Sequence, residues 1–124
     1  MRVLVCGSRD WELISLIRQE LSKLDRGAVI IHGACRGADS IAGIAAQELG
    51  LRVREFPADW GRYGRAAGPI RNKQMLDEGK PDVVWAFHEN FLKSKGTRNM
   101  VDLAMGEKIP VILFGAMEKI DESS

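Results

Sequence analysis

Residues 29–39 read VIIHGACRGAD, and the fold turns on how this stretch is parsed. A short apolar run ends in His32-Gly33, a small-residue turn follows, and a helical pattern opens at Gly37 or just after it. Strand, glycine turn and helix N-terminus together aim backbone N–H groups at an anion, with the helix dipole adding to the attraction. Gly33 and Gly37 let the chain turn sharply and let a ligand approach the backbone. The spacing is neither the GxGxxG of a dinucleotide site nor the GxxxxGK[ST] of a P-loop. Its meaning therefore depends on what the flanking chain brings to the same place.

Upstream, Arg2 to Cys6 (RVLVC) is a continuous aliphatic run, the pattern of a strand buried on both faces. It ends in Gly7-Ser8-Arg9-Asp10, with Asp10 placed to cap a helix whose Leu13, Ile17, Leu21 and Leu24 form a core-facing stripe. Ala28 to His32 is the second strand. Downstream, residues 38–49 predict a helix with Ile41, Ile44, Ala45 and Leu49 toward the sheet, stopped by Gly50. Leu51 to Phe56 alternates apolar and charged residues, as an edge strand does. Pro57 to Pro69 (PADWGRYGRAAGP) reads as a long irregular loop of functional character. A helix is expected from Ile70 to Glu78 with Ile70, Met75 and Leu76 inward, then a strand over Asp82–Phe87. His88 to Lys95 is a polar loop, Gly96 to Ala104 a helix, and Lys108 to Phe114 the last strand.

Strands alternating with helices at these lengths predict an α/β, Rossmann-like three-layer domain with a five-stranded parallel sheet. Right-handed crossovers give the order 3-2-1-4-5. The expected domain covers residues 1–114, and the polar tail 115–124 is expected to fray. In such a sheet, ligands bind beyond the carboxyl ends of the strands, where the winding reverses.

Composition sets the outer bounds. The 124 residues are 45% hydrophobic and 28% charged, with a net charge of +1, so no global basic field argues for nucleic acid. Two cysteines fit a reducing, cytoplasmic setting. No signal peptide or membrane span is expected. With two histidines and two cysteines set far apart, neither a metal site nor a cofactor is expected.

Four loops should converge on the sheet's carboxyl edge, bringing Gly7, Ser8 and Arg9; Gly33, Arg36, Gly37 and Asp39; Asp59, Trp60, Arg71 and Asn72; and Ser94, Gly96, Thr97 and Arg98. Glycines, hydroxyls and guanidinium groups suit phosphate. Asp39 would repel phosphate and suits a ribose hydroxyl, while Trp60 and Tyr63 offer faces for a base. Plainer roles exist beside these: tight turns for the glycines, helix caps for Asp39 and Thr97, a backbone bond for His32, a surface place for His88, core packing for the tryptophans, and buried thiols for Cys6 and Cys35.

The runs CGSRDW, HGACRGAD, FPADW with YGRAAGPIRN, and SKGTRNMVDLA, in that order, resemble the DUF2493/YspA-like (YAcAr) branch of the SLOG superfamily. This branch comprises Rossmann-like relatives of the cytokinin-activating LOG proteins and of the DNA-processing protein DprA. The resemblance spans residues 1 to about 114 and implies a site for nucleotides or nucleotide-derived molecules, often in a homodimer. The LOG hydrolases cleave the N-glycosidic bond of a nucleoside monophosphate with an Arg and a Glu. By resemblance the Arg falls on Arg71, the motif's Gly and Thr on Gly96 and Thr97, and the Glu on Met100, leaving Asp39 as the stand-in carboxylate.

The favoured reading is a domain that binds or senses a nucleotide-derived ligand. Its alternative is a nucleotide N-glycosidic hydrolase with Arg71 and Asp39 catalytic. A single-stranded nucleic-acid module ranks lowest, resting on six basic residues against two acidic ones over residues 52–73. A homodimer would use the Ala- and Gly-rich helix 38–49 or apolar residues near 70–76.

Overall fold

A computed structural model describes residues 1–115 of the chain. The strands are β1 (Arg2–Gly7), β2 (Val29–His32), β3 (Arg52–Glu55), β4 (Val83–His88) and β5 (Val111–Gly115). All pair in parallel, in the order β3-β2-β1-β4-β5, as predicted. The helices are α1 (Ile14–Ser22), α2 (Ala38–Glu48), the single turn α3 (Trp60–Tyr63), α4 (Ala67–Gly79) and α5 (Gly96–Gly106).

Strand periodicity sorts the core into two layers. Val3, Val5, Ile30, Trp85 and Phe87 pack with α1 and α2 through Ile17, Leu21 and the alanines 38, 42, 45 and 46. Leu4, Cys6, Ile31, Val84 and Ala86 pack on the other face with α4 and α5 through Met75, Leu76, Met100, Val101 and Ala104. The central β1 residues Val3, Leu4 and Val5 are wholly buried, each worth roughly 2 kcal/mol of apolar transfer. β1 and β4 lie side by side at the point where the winding reverses, with Gly7 opposite Phe87.

Several local expectations are corrected. α1 starts at Ile14, so Asp10 caps nothing, and Leu13 is exposed. The preceding segment instead hangs Trp11 into the core, where its ring meets Phe87 edge-on at 5.7 Å and its indole N–H donates to the Leu13 carbonyl at 3.0 Å. On α2, Ile44 faces outward because the small Ala42, Gly43 and Ala46 take the sheet side. Those residues are therefore spent on the core and are not a free dimer surface.

The 57–69 stretch is more regular than a loop. Asp59 caps α3 by accepting the Arg62 N–H at 3.1 Å, a 3₁₀ turn (Gly64–Ala66) follows, and α4 begins at Ala67. Gly68-Pro69 fits there because the first turn of a helix needs no internal N–H bonds. Ile70 is exposed, while Arg71 and Asn72 are buried with Met75 and Leu76. Residues 70–76 thus leave Ile70 alone as outward apolar surface. The polar tail lies outside the described residues except for Gly115, which closes β5. No helix among the described residues is long and apolar enough to cross a membrane.

Candidate functional site

A cleft of about 630 Å³ opens at the carboxyl ends of the strands, walled by the segments after β1, β2, β3 and β4. It is bordered by Gly7, Ser8, Arg9, Asp39, Trp60, Arg71, Asn72, Ser94, Gly96 and Thr97 of the predicted set. A neighbouring hollow of about 350 Å³ adds Gly33 and Arg36, and Arg9, Cys35, Trp60 and Arg71 border both spaces. Gly37, Asp59 and Arg98 border neither. Gly37, at φ +80°, passes so close to the Ser8 carbonyl and Arg9 that a side chain would collide. Asp59 is the α3 cap, and Arg98 turns away to the Leu92 carbonyl at 3.3 Å.

The turn after β2 spends its donors internally. Asp39, on the first turn of α2, accepts the Gly33 N–H at 2.8 Å and the Cys35 N–H at 3.5 Å through the same oxygen. The Ala34 N–H goes to His32 Nδ1 at 3.0 Å. Asp39 is therefore a pin through the turn and not a simple cap, and the 33–35 backbone has little left for a phosphate. Burial lifts the Asp39 carboxyl from 3.8 to about 6, although the Gly33 bond and the nearby Arg71 act in the other direction. His32 takes the backbone bond expected of it, and burial lowers its pKa.

Arg71 completes the clamp from α4. Its Nη1 donates to the Gly33 carbonyl at 2.5 Å, its Nε donates to Asn72 Oδ1 at 2.9 Å, and its Nη2 lies 3.7 Å from Cys35 Sγ. Asn72 in turn donates to Asn99 Oδ1 at 2.9 Å, linking α4 to the start of α5. Just before that start the Ser94 hydroxyl accepts the Thr97 N–H at 3.0 Å, so Thr97 is an interior residue of the first turn and not the cap. Cys6 is buried and its thiol pKa is pushed up by that burial, whereas Cys35 is half-buried at the cleft wall.

Charge in the cleft is mixed. Arg9, Arg65 and Lys95 stand with Arg71 against Asp10, Asp39 and Glu89. Met100, the position of the LOG glutamate by resemblance, is buried among apolar residues and supplies no carboxylate. Glu89 was not singled out by sequence: it hid in a polar loop, yet it is the first residue past β4 and so stands at the reversal point. Among the described residues, no three His, Cys, Asp or Glu side chains gather to hold a metal ion.

Residues 1–63 match the model of a family described as YspA, cpYpsA-related SLOG. Over 123 residues the chain is 37% identical to the Gene 61 protein of Mycobacterium phage D29, covering 92% of this chain and 96% of that protein. Its fold is similar to that of DNA processing protein A (DprA) from Streptococcus pneumoniae, with a TM-score of 0.74 at 18% identity. That match covers 99% of this chain and 56% of the DprA chain, so the likeness is one of fold over little more than half of the larger protein.

Proposed function

Because the chain belongs to the YspA, cpYpsA-related SLOG family, we propose that its cleft binds a nucleotide or a nucleotide-derived sugar phosphate as a binding or sensing domain. The carrying observation is the meeting of four βα segments on one cleft with cationic side chains and the N-terminus of an 11-residue helix. The phosphate belongs at the N-terminus of α5, beside Lys95 and Arg65, where the helix dipole and side-chain charge add. Trp60, half-exposed at the rim, is the stacking face for a base. Arg71 and Asp39 shape the wall by holding the turn, which favours binding over a hydrolase built on those two residues.

The test is a panel of nucleoside mono- and diphosphates, NAD and ADP-ribose, with thermal shift and release of free base read on the same samples. A Tm rise without base release supports a binding domain, and Lys95→Glu should then weaken binding at least ~10-fold. Release of base would replace this reading with the hydrolase.

A second reading has its own observation. Trp60 and Tyr63 are both exposed on α3, with the Arg62 guanidinium 5.0 Å from the Tyr63 ring and Arg65 one turn on. An aromatic and cationic strip of this kind suits single-stranded nucleic acid, in keeping with the DNA-processing name of the fold relative. Binding of an oligonucleotide that falls steeply with salt would support it, and a flat response would remove it.

A further inference from the structure

We propose that Glu89 is the sugar-recognition residue of the cleft, accepting the hydroxyls of a ribose and so selecting ribonucleotides over their 2′-deoxy counterparts. This rests on the nucleotide reading of the same cleft and adds to it the class of sugar. Glu89 follows β4 directly, and β4 lies against β1, so its carboxylate stands over the gap between the two strands. The Ser8 hydroxyl donates to Glu89 Oε1 at 2.6 Å.

The direction of that bond is fixed by the next one. Ser8 Oγ accepts the Asp10 N–H at 3.0 Å, which turns its own proton toward Glu89. Ser8 is held in place by its own N–H, which donates to the Phe87 carbonyl at 2.8 Å. Glu89 is thus oriented by a fixed hydroxyl that satisfies one oxygen and leaves acceptor capacity unspent. Its neighbour His88 does not use that capacity: His88 Nδ1 accepts the Asn90 N–H at 2.8 Å, so the nitrogen lying 4.0 Å from Glu89 carries no proton to give. Among the described residues, no Lys or Arg forms an ion pair with Glu89.

A carboxylate with open lone pairs in a cleft repels phosphate and seeks neutral hydroxyl donors. The vicinal hydroxyls of ribose provide two. Asp39 is less suited, because one of its oxygens is committed to the 33–35 turn and the residue is buried. Cationic Lys95 and Arg65 and acidic Glu89 then divide one ligand between them, phosphate to the former and sugar to the latter.

The experiment measures Kd for ADP, GDP, CDP and UDP and their 2′-deoxy counterparts with the wild type, Glu89→Ala and Ser8→Ala. The expected result is that the wild type binds its best ribonucleotide at least ~10-fold more tightly than the 2′-deoxy form, as loss of a bond to a charged group dictates. Glu89→Ala should bring the two forms within about twofold by weakening the ribonucleotide, which loses two hydroxyl bonds, more than the deoxynucleotide, which loses only that of its 3′-hydroxyl. Deoxynucleotide affinity should fall less, since loss of the 3′-hydroxyl bond is offset in part by removal of a negative charge from the cleft. A merely structural role would weaken both forms together. Ser8→Ala should narrow the gap in part and serves if Glu89→Ala does not fold. Equal wild-type affinity for the two sugars, or equal weakening of both, overturns the role of Glu89 while leaving nucleotide binding intact. If none of the eight binds, this role of Glu89 is overturned, and the nucleotide reading is decided separately by the monophosphates, NAD and ADP-ribose of the thermal-shift panel.

Discussion

A guanidinium only 8% exposed needs fixed acceptors, and Arg71 has them in the Gly33 carbonyl and Asn72 Oδ1. Arg71→Ala would leave a buried carbonyl unsatisfied and free the turn, which should lower unfolding free energy by about 1–3 kcal/mol in urea titrations. Asp39 holds the same turn from the other side, and its protonation carries a pH signature. Its folded pKa of about 6 exceeds its ordinary 3.8, so the folded state binds the extra proton more tightly than the unfolded state does. Its contribution is full below about pH 4 and is lost as pH rises through about 6, an effect of the order of 3 kcal/mol at most. Replacing it by Asn, which keeps an acceptor for the Gly33 N–H, should flatten this part of the stability profile between pH 4 and 7. Arg71 was legible in sequence as a residue of the site, but not as a buried one. Ile70, being apolar, claims the inward face in a sequence reading, yet it lies about 140° round the helix from Met75, whereas Arg71 lies about 40° away. Burial follows the second phase.

Element placement was more legible than side-chain duty. β-Branched and aliphatic runs marked all five strands to within a residue or two, except that β5 begins at Val111 where the run from Lys108 suggested an earlier start. The order 3-2-1-4-5 follows from parallel strands and right-handed crossovers. The start of α1 was not legible, because Trp11's tie to the Leu13 carbonyl competes with helix there. Helix α2 reads as amphipathic through Ile44, but its inner face is set by what the sheet can accept. At Gly43 an added Cβ would come within 2.7 Å of His32 Nε2, a buried nitrogen without a hydrogen-bond partner among the described residues. Gly43→Ala should therefore push α2 off the sheet and cost about 1–3 kcal/mol, seen as a lower midpoint in thermal or urea unfolding. Between α4 and α5, Asn72→Ala removes the bond to Asn99 and should cost about 1 kcal/mol while loosening the start of α5, where slowed amide exchange at residues 97–100 would be lost.

At the scale of the molecule, the cleft exists because the sheet reverses its winding between β1 and β4, so segments from both halves meet over one gap. The sequence carried that convergence without its detail. Gly7, Ser8, Gly96 and Thr97 stand out in sequence as glycine and hydroxyl residues after strands, and they border the cleft; Glu89 borders it too, but a lone acidic residue in a polar loop has no pattern. In the turn after β2, the most conspicuous motif in the chain, the N–H groups of residues 33–35 are satisfied internally, so the proposed anion site lies at α5 instead. Backbone amide shifts from ¹⁵N-labelled protein titrated with AMP, ADP and ADP-ribose test this account most directly. Saturable changes centred on residues 7–10, 60–65 and 94–99, with smaller ones at 33–37, are the predicted result. Changes confined to α1, β3 and β5, or none with any of the three ligands, would contradict it.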